Sequence, residues 1–223
     1  MEGTHSLHSI GDSMKKKASI LLEDNSIVPV TIFSTTDASD LQTGYSDMTL
    51  FDLDVIVIYK DGTYHAFNDH FLSKSYVLQK AWIKPHPMRD FPSFIEGVTL
   101  AGYDLERFVL PILSNYFEEL EHKDHIDVLK FAHDRSRMRF SLFNLAFWNR
   151  CDNISTVSEF FTFHRVRMIA DWFNGTYKNI IKRLQTETKW IGQLVYRIKK
   201  HKTLLVKDEQ GKKIKIFAQD EEE

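Results

Sequence analysis

A β-branched, partly alternating run from Phe51 to Tyr59, closed by Asp61-Gly62 and answered by Thr63 to Phe67, constrains this chain more tightly than any other stretch. Asp-Gly makes positive φ cheap at both central positions of a two-residue turn, and such turns match the twist of paired antiparallel strands. A hairpin over residues 55–67 is therefore expected. Ala18 to Leu22 and Ile27 to Phe33 flank the polar turn Glu23-Asp24-Asn25-Ser26 and read as a second strand pair. Residues 34–47, rich in Thr, Ser, Asp and Gly, read as a loop. The N-terminal part is thus predicted to be an antiparallel sheet of about four strands.

Past the hairpin the periodicity changes. Asn68 or Asp69 is placed to cap a helix over about His70–Ile83. Lys84-Pro85-His86-Pro87 and Phe91-Pro92 then break the chain and set an internal boundary. Leu105–Glu121 carries apolar residues at helical spacing, with Pro111 kinking or starting the helix. Ile126–His133 and Met138–Trp148 read as two shorter helices. The organisation expected is a disordered stretch 1–13, an acidic β-rich part 14–90, a helical part 91–153, a basic helical part with a terminal hairpin 154–219, and an acidic tail 220–223. The fold class is α+β.

Composition narrows the classes. Only 9 Gly and 5 Pro argue against a turn-rich β-sandwich. The single Cys151 excludes an internal disulfide and a cysteine-based zinc site, and suits a reducing, cytoplasmic setting. No apolar run reaches the roughly 18–20 residues of a membrane span, and Met1–Ser13 lacks the apolar centre of a signal peptide. No membrane partner is expected.

Charge is unevenly distributed. His164–Lys215 holds 14 Lys/Arg against 4 Asp/Glu, and the rest of the chain 15 against 27. Such asymmetry points to an anionic partner or to contact between opposite halves. Within the basic part, Thr156 and Glu159 fit a capping box opening a helix to about Phe173, and Asn174-Gly175 stops it. Thr176 caps a second helix with Tyr177, Ile180, Ile181 and Leu184 on one face. Gln185–Thr188 reads as a short turn, and a third helix carries Ile191, Leu194, Val195 and Ile198. Leu204–Lys207 and Lys213–Phe217 flank a hairpin turn. That order is the order of a winged helix-turn-helix, in which the last helix enters the major groove and the hairpin touches the backbone. Lys178, Lys182 and Arg183 on the second helix, Lys189, Gln193, Tyr196, Arg197, Lys199 and Lys200 on the third, and Lys207, Lys212, Lys213 and Lys215 on the wing are the candidate contacts.

Three other chemistries were weighed. Asp52-Leu53-Asp54 is similar to the paired carboxylates of Mg²⁺-dependent phosphohydrolases and nucleases, but Val55 and Ile56 stand where that pattern has Thr and Gly. His122, His125 and His133-Asp134 hold metal-binding side chains, in a strongly charged turn. The aromatic group Phe140, Phe143, Phe147 and Trp148 reads as core or as an oligomer interface. No Gly-rich phosphate loop, nucleophile elbow or other catalytic signature is present, and no cofactor is called for. The function expected is non-enzymatic nucleic-acid binding, DNA before RNA. The alternatives are a scaffolding protein that self-associates through its opposite-signed halves and a metal-dependent hydrolase.

Overall fold

The structure, a computed structural model, describes residues 26–36, 47, 50–69, 83–152, 165–208 and 210–217. The expected stretch 1–13, the strand at 18–22, the helix over 70–82, the Thr156/Glu159 capping box and the acidic tail lie outside the described residues. What is described is α+β: a mixed six-stranded sheet, six helices and a C-terminal β-hairpin.

The strands are β1 (Ile27–Phe33), β2 (Val55–Lys60), β3 (Thr63–Phe67), β4 (Ile83–His86), β5 (Thr99–Gly102) and β6 (Asp124–Asp127), in the order β4-β3-β2-β1-β5-β6. The Asp61-Gly62 hairpin forms as its sequence demands. Both residues have positive φ, +51° and +74°, and Lys60 pairs with Thr63. The expectation of a purely antiparallel N-terminal sheet is corrected. β1 pairs antiparallel with β2 but parallel with β5, and β6 and β4 also join in parallel. β5 and β6 come from the segment read as wholly helical. They are only four residues long, too short for an alternation to register. The proline-rich segment, read as a break, supplies edge strand β4. An edge strand tolerates the missing amide of Pro85.

β1 has the run IVPVTIF with almost every residue buried, as a central strand covered on both faces requires. On one face Val28, Val30, Ile56, Ile58, Phe67 and Leu100 pack against α1 (Phe91–Ile95) and against α2 (Leu110–Tyr116), which continues from a π-helical turn at Leu105–Val109. Pro111 lies in the first turn of α2, where its missing amide costs nothing. The other face is covered by α5 (Arg165–Phe173) and the long α6 (Tyr177–His201). Smaller elements α3 (Val128–Ser136) and α4 (Leu142–Trp148) and the hairpin β7 (Thr203–Lys207)–β8 (Lys213–Phe217) close that side.

α6 overturns the helix-turn-helix. Residues 185–188 are helical, and the predicted second and third helices are one helix of 25 residues. At 1.5 Å per residue it spans about 37 Å. Its buried stripe runs without interruption through Ile180, Ile181, Leu184, Thr188, Ile191, Leu194, Val195 and Ile198. Thr188 is what made the stripe look broken. Its hydroxyl lies 2.7 Å from that of Thr31 on β1 and bonds the Leu184 carbonyl at 2.7 Å, so a polar residue is fully satisfied inside the core.

Candidate nucleic-acid interface

The predicted contact residues do not form one surface. Lys178 and Lys182 are exposed on the first turns of α6, roughly 30 Å along the axis from Lys199 and Lys200. Arg183 is committed to Glu187, one turn on, with its Nε 2.8 Å from the carboxylate. Lys189 pairs with Asp152 at 3.0 Å, and Gln193, buried, accepts the backbone N–H of Asp152 at 2.9 Å. Those two secure the chain after α4 to α6 and are not available to read bases. Tyr196 and Arg197 are half-buried, and the Tyr196 hydroxyl bonds Lys200.

The remaining residues do gather. α6 ends in Lys199 and Lys200, cations that suit the negative end of a helix dipole, followed by His201. Lys202, at φ +54°, turns the chain straight into β7. In the hairpin Leu204, Val206 and Ile216 point into the core, with Ile214 half-buried beside them. Alternation therefore puts Thr203, Leu205, Lys207, Lys213, Lys215 and Phe217 on the outer face. Lys207 and Lys213 are direct cross-strand partners there, and Lys215 stands next along β8. On that outer face the basic side chains lie toward the hairpin tip, at Lys207, Lys213 and Lys215, and Thr203 and Phe217 stand at the end nearer α6.

The hairpin is anchored at both edges. Arg135 on α3 donates from Nε to the Phe217 carbonyl at 2.7 Å, with its guanidinium 4.0 Å above the Phe131 ring. Buried Asn149, just past α4, donates from Nδ2 to the carbonyls of Leu145 and Leu205. Its Oδ1 accepts the Leu205 amide at 3.0 Å. One amide side chain thus does for β7 what a neighbouring strand would do. Sequence reading missed Asn149, because an asparagine near a helix end signals only a turn.

A second concavity lies where the sheet changes from antiparallel to parallel pairing. Beyond the end of β5 and alongside β1, Thr31, Tyr103, Asp104, Phe108, Glu187 and Ile191 line a crevice of about 270 Å³. Asp104 is held at φ +53°, and burial pushes its carboxyl above the usual range while Arg107 and Arg139 pull it down.

Asp52, Asp54, His125 and His133 are each engaged in local hydrogen bonds, and the His122 ring lies 6.0 Å from that of His125. Asp52 and Asp54 precede β2, correcting their placement on a strand. They cap the loop after β1: Asp54 accepts the Thr35 amide at 2.6 Å and Asp52 the Thr36 hydroxyl at 3.2 Å. His125 lies on β6 rather than a helix and faces Glu106 at 3.0 Å, whereas His133 bonds the Met138 carbonyl. Among the described residues no three His, Cys, Asp or Glu side chains converge as a metal site would need. Burial raises the Cys151 thiol to about 12, so it is not a reactive thiolate. Among the described residues, no helix is long and apolar enough to cross a membrane. Compared with protein-family models and with the curated proteins, the sequence matches none.

Proposed function

We propose that the protein binds nucleic acid through the C-terminal turn of α6 and the outer face of the β7–β8 hairpin. The observation that carries this is the cross-strand pairing of Lys207 with Lys213. Like charges directly opposite one another are destabilising in a sheet, by roughly 0.2–1 kcal/mol. A bound polyanion turns that repulsion into attraction and gains entropy from released counterions. Lys199, Lys200, Lys212 and Lys215 extend the same positive field. The contacts are to phosphates, so affinity is expected to depend steeply on salt and weakly on sequence.

Fluorescence anisotropy of a labelled oligonucleotide at several salt concentrations tests the reading. A triple variant, Lys207→Ala, Lys213→Ala and Lys215→Ala, should keep its melting temperature. It should also flatten the slope of log K against log salt by roughly 0.7–0.9 per lost contact. Absence of binding near 50 mM salt, or an unchanged slope, refutes the proposal.

The β1/β5 crevice favours a second reading as a small-ligand site, because open sheets bind ligands outside the carboxyl ends of their strands at such a change of direction. Its carboxylates would take hydrogen-bond donors. A ligand that raises the melting temperature of the wild type and not of Glu187→Gln would support it, and equal shifts in both would reject it.

A further inference from the structure

Phe147, Trp148, Arg150, Cys151 and Lys213 line a concavity of about 270 Å³. Phe147 is 51% exposed. It stacks on Phe143 one turn earlier, with an interplanar angle of 20°, and Trp148 is held edge-on by Phe140. Phe143 in turn meets Trp190 of α6. The aromatic row is braced from behind by Phe140 and Trp190, with Phe147 its most exposed ring and Phe143 and Trp148 partly buried.

The cations beside it are fixed by backbone. α4 ends in a motif where the Cys151 amide bonds the Ala146 carbonyl at 2.9 Å and the Arg150 amide the Phe147 carbonyl at 3.1 Å. The residue at that left-handed position is usually glycine. Here it is Arg150, at φ +53°, with its side chain exposed. Asn149 ties the same turn to β7, and so fixes Arg150 and Phe147 relative to Lys213 at the hairpin tip.

We propose that Phe147, Trp148, Arg150 and Lys213 form a subsite for an unpaired nucleotide, the base stacking on the Phe147 ring and its phosphate meeting Arg150 and Lys213. This rests on the nucleic-acid reading and deepens it. The concavity is far too small for a duplex, whereas a flat aromatic surface bordered by cations is how single strands are held without sequence preference. The polymer preferred is therefore single-stranded.

The test uses full-length protein, a labelled 12-nucleotide oligothymidylate and a labelled duplex of equal phosphate number. Wild type should bind the single strand more tightly. Phe147→Ala should weaken oligothymidylate binding about tenfold, leave duplex binding and the salt slope unchanged, and keep the melting temperature, because the ring is largely exposed. Phe147→Tyr should restore the affinity. Arg150→Ala should instead lower the salt slope for the single strand by roughly 0.7. If Phe147→Ala affects both probes equally, or neither, the subsite is wrong while nucleic-acid binding stands. If wild type binds neither probe, the underlying reading fails and the subsite with it.

Discussion

Acidification should destabilise this protein through one pair of histidines. His65 on β3 and His86 on the edge strand β4 face each other across a parallel strand pair, Nδ1 to Nε2 at 2.9 Å. Phe94 lies 5.0 Å from the His65 ring and 4.7 Å from that of His86. The pair makes its hydrogen bond only while one of the two facing nitrogens carries no proton. Burial, then the neighbouring His86, push His65 down to about 4. The Lys60 carbonyl and Asp61 oppose the shift, and Lys84 adds to it. His86 is lowered as well, by burial first, with Asp90 opposing.

In the unfolded chain the same ring titrates near 6.5. Below that pH the unfolded state takes up a proton that the folded state refuses, so stability falls as pH drops from about 6.5 toward about 4. For His65 alone, linkage gives a loss of about 2 kcal/mol between pH 7.5 and pH 5, at 1.36 kcal/mol per pKa unit. That is a large share of a typical domain stability. Urea unfolding at the two pH values checks it, with His65→Gln as the comparison. Carboxylate contributions are common to both proteins, so the variant should lose about 2 kcal/mol less on acidification. Equal pH dependence in the two, or a His65 ring resonance titrating near 6.5, would refute the reasoning.

Other perturbations have definite signs. Gly62→Val forces a β-branched residue to φ +74° and should cost on the order of 1–2 kcal/mol in a denaturant titration. Asn149→Leu removes both bonds to Leu205 and leaves its amide and carbonyl without that partner, so a loss of roughly 2–3 kcal/mol is expected by thermal or urea unfolding. Thr186→Pro distinguishes one helix from two. In a turn proline would be tolerated, but inside α6 it should cost about 3 kcal/mol or more, read as a lowered urea midpoint.

How much the sequence disclosed depended on whether the deciding interaction was local. The Asp61-Gly62 turn, the stop at Gly175 (φ +70°) and the terminal hairpin were all legible, because each rests on backbone preferences of adjacent residues. Short strands β5 and β6 were not. Four residues carry too little alternation to register, and what makes them strands is pairing: β5 with β1, about seventy residues away, and β6 with β5. The misreading of α6 has the same cause. Thr188 looks like an interruption until Thr31, 157 residues earlier, supplies its hydrogen bond.

The same distinction explains which basic residues survive as candidates. Sequence alone separates a charged face from an apolar stripe, and by that criterion Lys189, Gln193 and Arg183 belonged with Lys199 and Lys200. Tertiary structure separates them again. Lys189 and Gln193 hold Asp152, and Arg183 holds Glu187 through its Nε, so each is committed within the fold. Lys207 and Lys213 show the opposite pattern. The fold sets them against each other across a strand pair, on the outer face of a hairpin already secured by Asn149 and Arg135. Holding the hairpin does not require two lysines there, since a Thr–Thr or oppositely charged pair would serve the sheet better. On the proposed reading, that pair and the exposed Phe147 ring nearby are where an anionic, aromatic partner would sit.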